Sequence, residues 1–126
     1  MGRLAHHERL SGRRILIVED EVLIAFDLRE CLRHAGARSV ALAHTLADAL
    51  PLARKAPLSA AVLDIRLGSD CVAPVAEALA ERGIPFLFYS GQASDDPVQA
   101  AFPDVLVLNK PTDPEAIVRA LGRLPG

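Results

Sequence analysis

The stretch AVLDIRLG, residues 61–68, runs apolar for three positions and then sets an acid, Asp64, where the apolar run stops. Its first half has the length and composition of a short strand buried on both faces. Asp64 is then either a cap that ends the strand or a carboxylate displayed at the edge of a sheet, and local sequence does not separate the two.

Working outward, similar runs recur on both sides: Ile15 to Val18, Ser39 to Ala43, Ala60 to Leu63, Pro85 to Tyr89 and Val105 to Leu108. Between them lie segments of helical period. Ile24, Leu28, Cys31, Leu32 and Ala35 fall on one face and are followed by Gly36 as a stop signal. Val72, Val75, Ala76 and Leu79 repeat the pattern before Gly83, and Ile117, Ala120, Leu121 and Leu124 follow an Asp113-Pro114 start. Thr45 and Asp48 open another helix, in which Pro51 removes a backbone donor and is expected to kink or shorten it. The helix around Pro97 to Phe102, hemmed by Gly91, Pro97 and Pro103, is expected to be short and mobile. Five alternations of strand and helix with no hairpin signal predict an α/β fold: an open parallel sheet with helices on both faces. Right-handed crossovers then place the functional crevice at the carboxyl ends of the strands.

The 126 residues suit one core, with residues 1–12 as a polar leader and 13–126 as the domain. The longest apolar run, Val22 to Phe26, is far too short to span a membrane, and the leader lacks the apolar stretch of a secretory signal, so a cytoplasmic protein is expected. A net charge of −2, scattered Lys and Arg and 4% aromatic residues argue against direct nucleic-acid binding. Cys31 and Cys71 lack metal-ligand spacing and read as reduced thiols. His6 and His7 read as solvated tail residues, and His34 and His44 have no evident partner.

At the strand ends stand Glu19, Asp20 and Glu21, then Asp64, then Ser90, then Asn109-Lys110-Pro111. Singly, each has an ordinary explanation: an N-cap, a turn, a strand exit. Jointly they do not, because caps have no reason to supply complementary charge at four ends of one edge. Crowded carboxylates need a counter-charge, which a hard cation such as Mg²⁺ supplies. A metal ion, a lysine, a hydroxyl and a spare carboxylate together fit phosphoryl transfer, with an aspartate able to act as nucleophile.

With these residues in view, the chain resembles the response-regulator receiver domain of two-component signalling. ILIVEDE resembles the family's first strand and acidic pair, AVLDIRLG its phospho-acceptor strand, FLFYSG its switch-hydroxyl strand and VLNKP its lysine-proline signature, across residues 13 to 124. The resemblance implies a flavodoxin-like five-stranded parallel sheet of order 2-1-3-4-5 with five helices. It also implies that Asp64 accepts a phosphoryl group from the phosphohistidine of a histidine kinase or histidine phosphotransfer protein, or from acetyl phosphate. Mg²⁺ or Mn²⁺ would be held by Asp20, Asp64 and the Arg66 backbone carbonyl, with Glu19 at the metal's edge or acting through water. Ser90 and Lys110 would each bind a phosphoryl oxygen, the Lys110-Pro111 bond would be cis, and the Arg66 and Gly91 amides would complete the cradle. No turnover enzyme is implied, only self-catalysed transfer to Asp64 and hydrolysis from it, and the phosphorylated state would alter binding to a downstream protein.

Two departures stand out. Val107 occupies the place where receivers usually carry Tyr or Phe, so signal transmission is expected to run through ordering of residues 91 to 104 instead of an aromatic flip. PFLFYSG resembles the FAT GUY subgroup, which implies an HWE-type kinase, with Tyr89 and Ser90 replacing that motif's Ala and Thr. Arg66 and Gln92 flank the phosphorylation position and are expected to tune hydrolysis. The chain stops after the fifth helix and reads as a receiver, standing alone or cut from a longer protein. The kinase would dock on the first helix; the fourth helix, fifth strand and fifth helix offer a dimer face. The rival readings are an aspartate-nucleophile phosphatase, which needs an Asp-x-Asp pattern after the first strand that is missing here, and a pseudo-receiver, which would lack Asp64, Asp20 or Lys110.

Overall fold

The computed structural model describes residues 9–91 and 96–125. Its strands are β1 (Arg14–Val18), β2 (Ser39–Ala43), β3 (Ala60–Leu63), β4 (Arg66–Leu67), β5 (Asp70–Cys71), β6 (Phe86–Ser90) and β7 (Val107–Asn109). Its helices are α1 (Val22–His34), α2 (Leu46–Lys55), α3 (Ala73–Glu81), α4 (Pro97–Ala101) and α5 (Pro114–Arg123). The main sheet runs β2-β1-β3-β6-β7, all parallel. That is the expected 2-1-3-4-5 order once the short ribbon of β4 and β5 is left out of the count.

Period-two alternation divides the core between the faces. Leu16, Val18, Ala61, Leu63, Phe86 and Phe88 pack on one side with Ala49 and Ala53 of α2, Val75, Ala76 and Leu79 of α3 and Val98 of α4. Ile15, Ile17, Ala60, Val62, Leu87 and Tyr89 pack on the other with Ala25, Leu28 and Leu32 of α1 and Ile117, Val118 and Leu121 of α5. Phe86, Phe88 and Phe102 meet edge to face, with centroids 5.5–6.4 Å apart, and seat the end of α4 on the sheet.

Several local expectations change. Pro51 does not end α2, which continues four residues beyond it to Lys55; Pro51 is exposed, where water can satisfy the carbonyl its ring leaves free. The last strand begins at Val107, later than the apolar run. Leu10 and Ser11, in the stretch read as a leader, belong to the packed chain: Leu10 is fully buried, its amide donates to the Ala35 carbonyl, and Ser11 bridges to Ala37. The segment after Asp64 forms a ribbon, β4 paired antiparallel with β5, its turn made by Gly68 at φ +63°. No helix among the described residues is long and apolar enough to cross a membrane.

Candidate functional site

The parallel sheet carries Glu19 and Asp20, Asp64, Ser90 and Lys110 to its carboxyl edge, each by ending a different strand. Asp64 follows β3 and is held by its own backbone, whose amide donates to the Val18 carbonyl of β1 at 2.9 Å. Its side chain accepts from the Arg66 amide at 3.3 Å and from Lys110 Nζ at 2.9 Å, and it is 6% exposed. That geometry decides between the two readings of AVLDIRLG. The α3 N-cap is Val72, eight positions on, so Asp64 caps no helix and faces a lysine instead.

Lys110 bridges two carboxylates, with Glu19 Oε1 at 2.7 Å and Asp64 Oδ2 at 2.9 Å. Burial works against its charge, and the hydrogen bonds and fields of Glu19 and Asp64 more than offset this, so the ammonium stays above its ordinary pKa. Its Nζ also lies 5.2 Å from the centre of the Tyr89 ring. Lys110 precedes a cis Pro111, as expected, and its amide donates to the Ser90 carbonyl at 2.8 Å.

Glu19 is 2% exposed, and burial pushes its carboxyl up to about 7 against the opposing pull of Lys110 and of the Glu21 amide. Its Oε2 accepts from that amide at 3.0 Å. Its Oε1 lies 2.7 Å from Lys110 Nζ, and a carboxylate oxygen engaged by a single ammonium keeps a lone pair for a further partner. Asp20, by contrast, is exposed and accepts the Gly68 amide at 2.9 Å, tying the turn of the β4–β5 ribbon to the acidic corner.

Ligand oxygens of Glu19, Asp20 and Asp64 lie within 4.8 Å of one another. Three carboxylates with one under-used buried oxygen form a hard-donor set that fits a divalent cation. When bound, such an ion would supply the positive charge that these crowded carboxylates lack. Ser90 is buried at the end of β6, paired in register with Asn109. Gln92 lies outside the described residues, as do His6 and His7, and residues 92–95 of the segment expected to carry the signal.

Three residues escaped the sequence reading. His44, which had no evident partner, places Nδ1 2.9 Å from the Glu19 carbonyl. Tyr89 sits beside Lys110. Asp96 joins the rim of the site through Arg66, its Oδ2 lying 3.1 Å from Arg66 Nη2. The Asp-Pro pair that announced α5 is also present at Asp96-Pro97, so the cap of α4 was readable. Its reach to Arg66 was not, because the two residues are 30 positions apart and meet only through the fold.

The family model for the response regulator receiver domain matches residues 15–122, nearly the whole chain. The chain belongs to that family. Among solved structures, it is similar to a CheY-like receiver domain protein from Methanospirillum hungatei at 23% identity and TM-score 0.79, covering 88% of this chain and 91% of that one. The non-phosphorylated HemR receiver domain from Leptospira biflexa is 26% identical, with TM-score 0.76 and coverage of 90% and 97%. A Burkholderia pseudomallei response regulator, solved with a phosphorylated aspartic acid, a calcium ion and citrate, is 29% identical, with TM-score 0.72 and coverage of 86% and 66%. None of the curated proteins matches in sequence.

Proposed function

We propose that this receiver domain takes a phosphoryl group on Asp64 from the phosphohistidine of a histidine kinase or histidine phosphotransfer protein in the cytoplasm, and that the phosphorylated state changes its binding to a downstream protein. The observation that carries the reading is the Asp64 carboxylate at the sheet's carboxyl edge, 2.9 Å from Lys110 Nζ and within a three-carboxylate cluster. Lys110 keeps the nucleophile oriented and offers its ammonium to the negative charge that spreads over the transferred group. The Arg66 amide, already on Asp64, helps fix the carboxylate, and the Ser90 hydroxyl, at the end of β6, would donate to a phosphoryl oxygen. Mg²⁺, or Mn²⁺ in its place, would be held by Asp20, Asp64 and the Arg66 carbonyl, with Glu19 alongside. The donor's histidine helix docks on the start of α1, where Val22, Leu23 and Phe26 are 58%, 79% and 49% exposed beside the acidic corner. The FAT GUY-like stretch favours an HWE-type kinase as that donor.

Incubation with acetyl phosphate and Mg²⁺, followed by mass spectrometry, tests the chemistry. A single phosphate adduct is expected on the native chain and none on Asp64→Asn; an adduct on both, or on neither, overturns it.

A further inference from the structure

Asp96 has two tasks in one carboxylate. Oδ1 accepts the Val98 amide at 3.1 Å and so caps α4, while Oδ2 pairs with Arg66 Nη2 at 3.1 Å. The Asp96 side chain is 8% exposed and that of Arg66 51%. Arg66 starts beside the accepting group, since its amide reaches Asp64 Oδ1, but its guanidinium is drawn outward to Asp96.

We propose that Asp96 is a positioning residue for Arg66: it holds the guanidinium away from a phosphoryl group on Asp64 and thereby shortens the life of the acyl phosphate. The inference rests on the reading of Asp64 as phospho-acceptor. Hydrolysis proceeds by attack of a water oxygen on phosphorus as the bond from phosphorus to the Asp64 oxygen breaks. The electron pair leaves with the carboxylate, the water loses a proton to solvent, and inorganic phosphate departs. A guanidinium free of Asp96 can turn back toward Asp64, bind the phosphoryl oxygens through paired N–H groups and cover the face that water must approach. Because Arg66 is half exposed, its pair with Asp96 is weak enough for this exchange to be governed by one charge.

Asp96→Asn separates the tasks, since Asn is as good an N-cap as Asp and removes only the charge. The native chain, Asp96→Asn, Arg66→Gln and the double variant are phosphorylated with acetyl phosphate and Mg²⁺, freed of donor, and followed by mass spectrometry as the adduct decays. Asp96→Asn is expected to slow decay roughly fivefold, and on the Arg66→Gln background the same change is expected to have no effect. An unchanged decay rate in Asp96→Asn, or an equal slowing with and without Arg66, overturns the role of Asp96 while leaving Asp64 as acceptor. Absence of any adduct on the native chain overturns both.

Discussion

At the scale of single residues the site is a contest over one ammonium. Lys110 lies between Glu19 and Asp64, and under the proposed function a phosphoryl group on Asp64 would add a third claimant with more charge than either. Glu19 is the residue most affected by its surroundings, because its side chain reaches a buried position that water does not. Folded Glu19 keeps its proton to about pH 7, whereas in the unfolded chain it is lost near the ordinary glutamate value of 4.5. Between those values the folded state binds more protons, so in the absence of divalent cations stability falls as pH rises through this window. Urea unfolding at intervals from pH 5 to 7.5 measures the slope, which is expected to be shallower in Glu19→Gln than in the native chain. Equal slopes would show that Glu19 ionises as an ordinary carboxylate.

At the scale of elements, three helices open on a side-chain cap, whereas α1 and α3 do not. Thr45, Asp96 and Asp113 each accept an amide of the following turn, opening α2, α4 and α5. The interior of α2 is the weak point, because Pro51 sits within it and can donate no hydrogen bond. Pro51→Ala restores that donor and a residue of high helix propensity, offset in part by the greater freedom it gives the unfolded chain. The substitution is expected to raise the unfolding free energy by about 1–2 kcal/mol in urea titrations; a lower midpoint would mean that the proline is favourable in this helix. The β4–β5 ribbon after Asp64 matters in a different way, since Asp20 holds its turn at Gly68 and Asp96 holds its flank at Arg66. It joins the acidic corner to the first turn of α4 on the side where Val107, not an aromatic ring, packs into the core.

At the scale of the whole molecule, the sheet's carboxyl edge gathers the chemistry while α1 leaves a cluster of apolar side chains uncovered next to it. Leu23 is 79% exposed, so Leu23→Glu is expected to change stability by less than about 0.5 kcal/mol. If the donor's histidine helix docks there, the same substitution slows phosphotransfer from a phosphorylated kinase at least roughly tenfold and leaves uptake from acetyl phosphate unchanged. Parallel losses with both donors would place the defect in the pocket instead. Much of this plan was legible in order along the chain. Five apolar runs with helical segments between them specify a parallel sheet, because strands buried on both faces have few other solutions. Acids, a hydroxyl and a lysine just beyond those runs must then share one edge. AVLDIRLG therefore fixed where Asp64 lies and which residue types stand near it. Only the folded chain decided that Asp64 faces Lys110 and caps no helix, that His44 backs Glu19, and that Asp96 reaches Arg66. Such pairings depend on side-chain distances across separate elements, which periodicity along one chain does not encode.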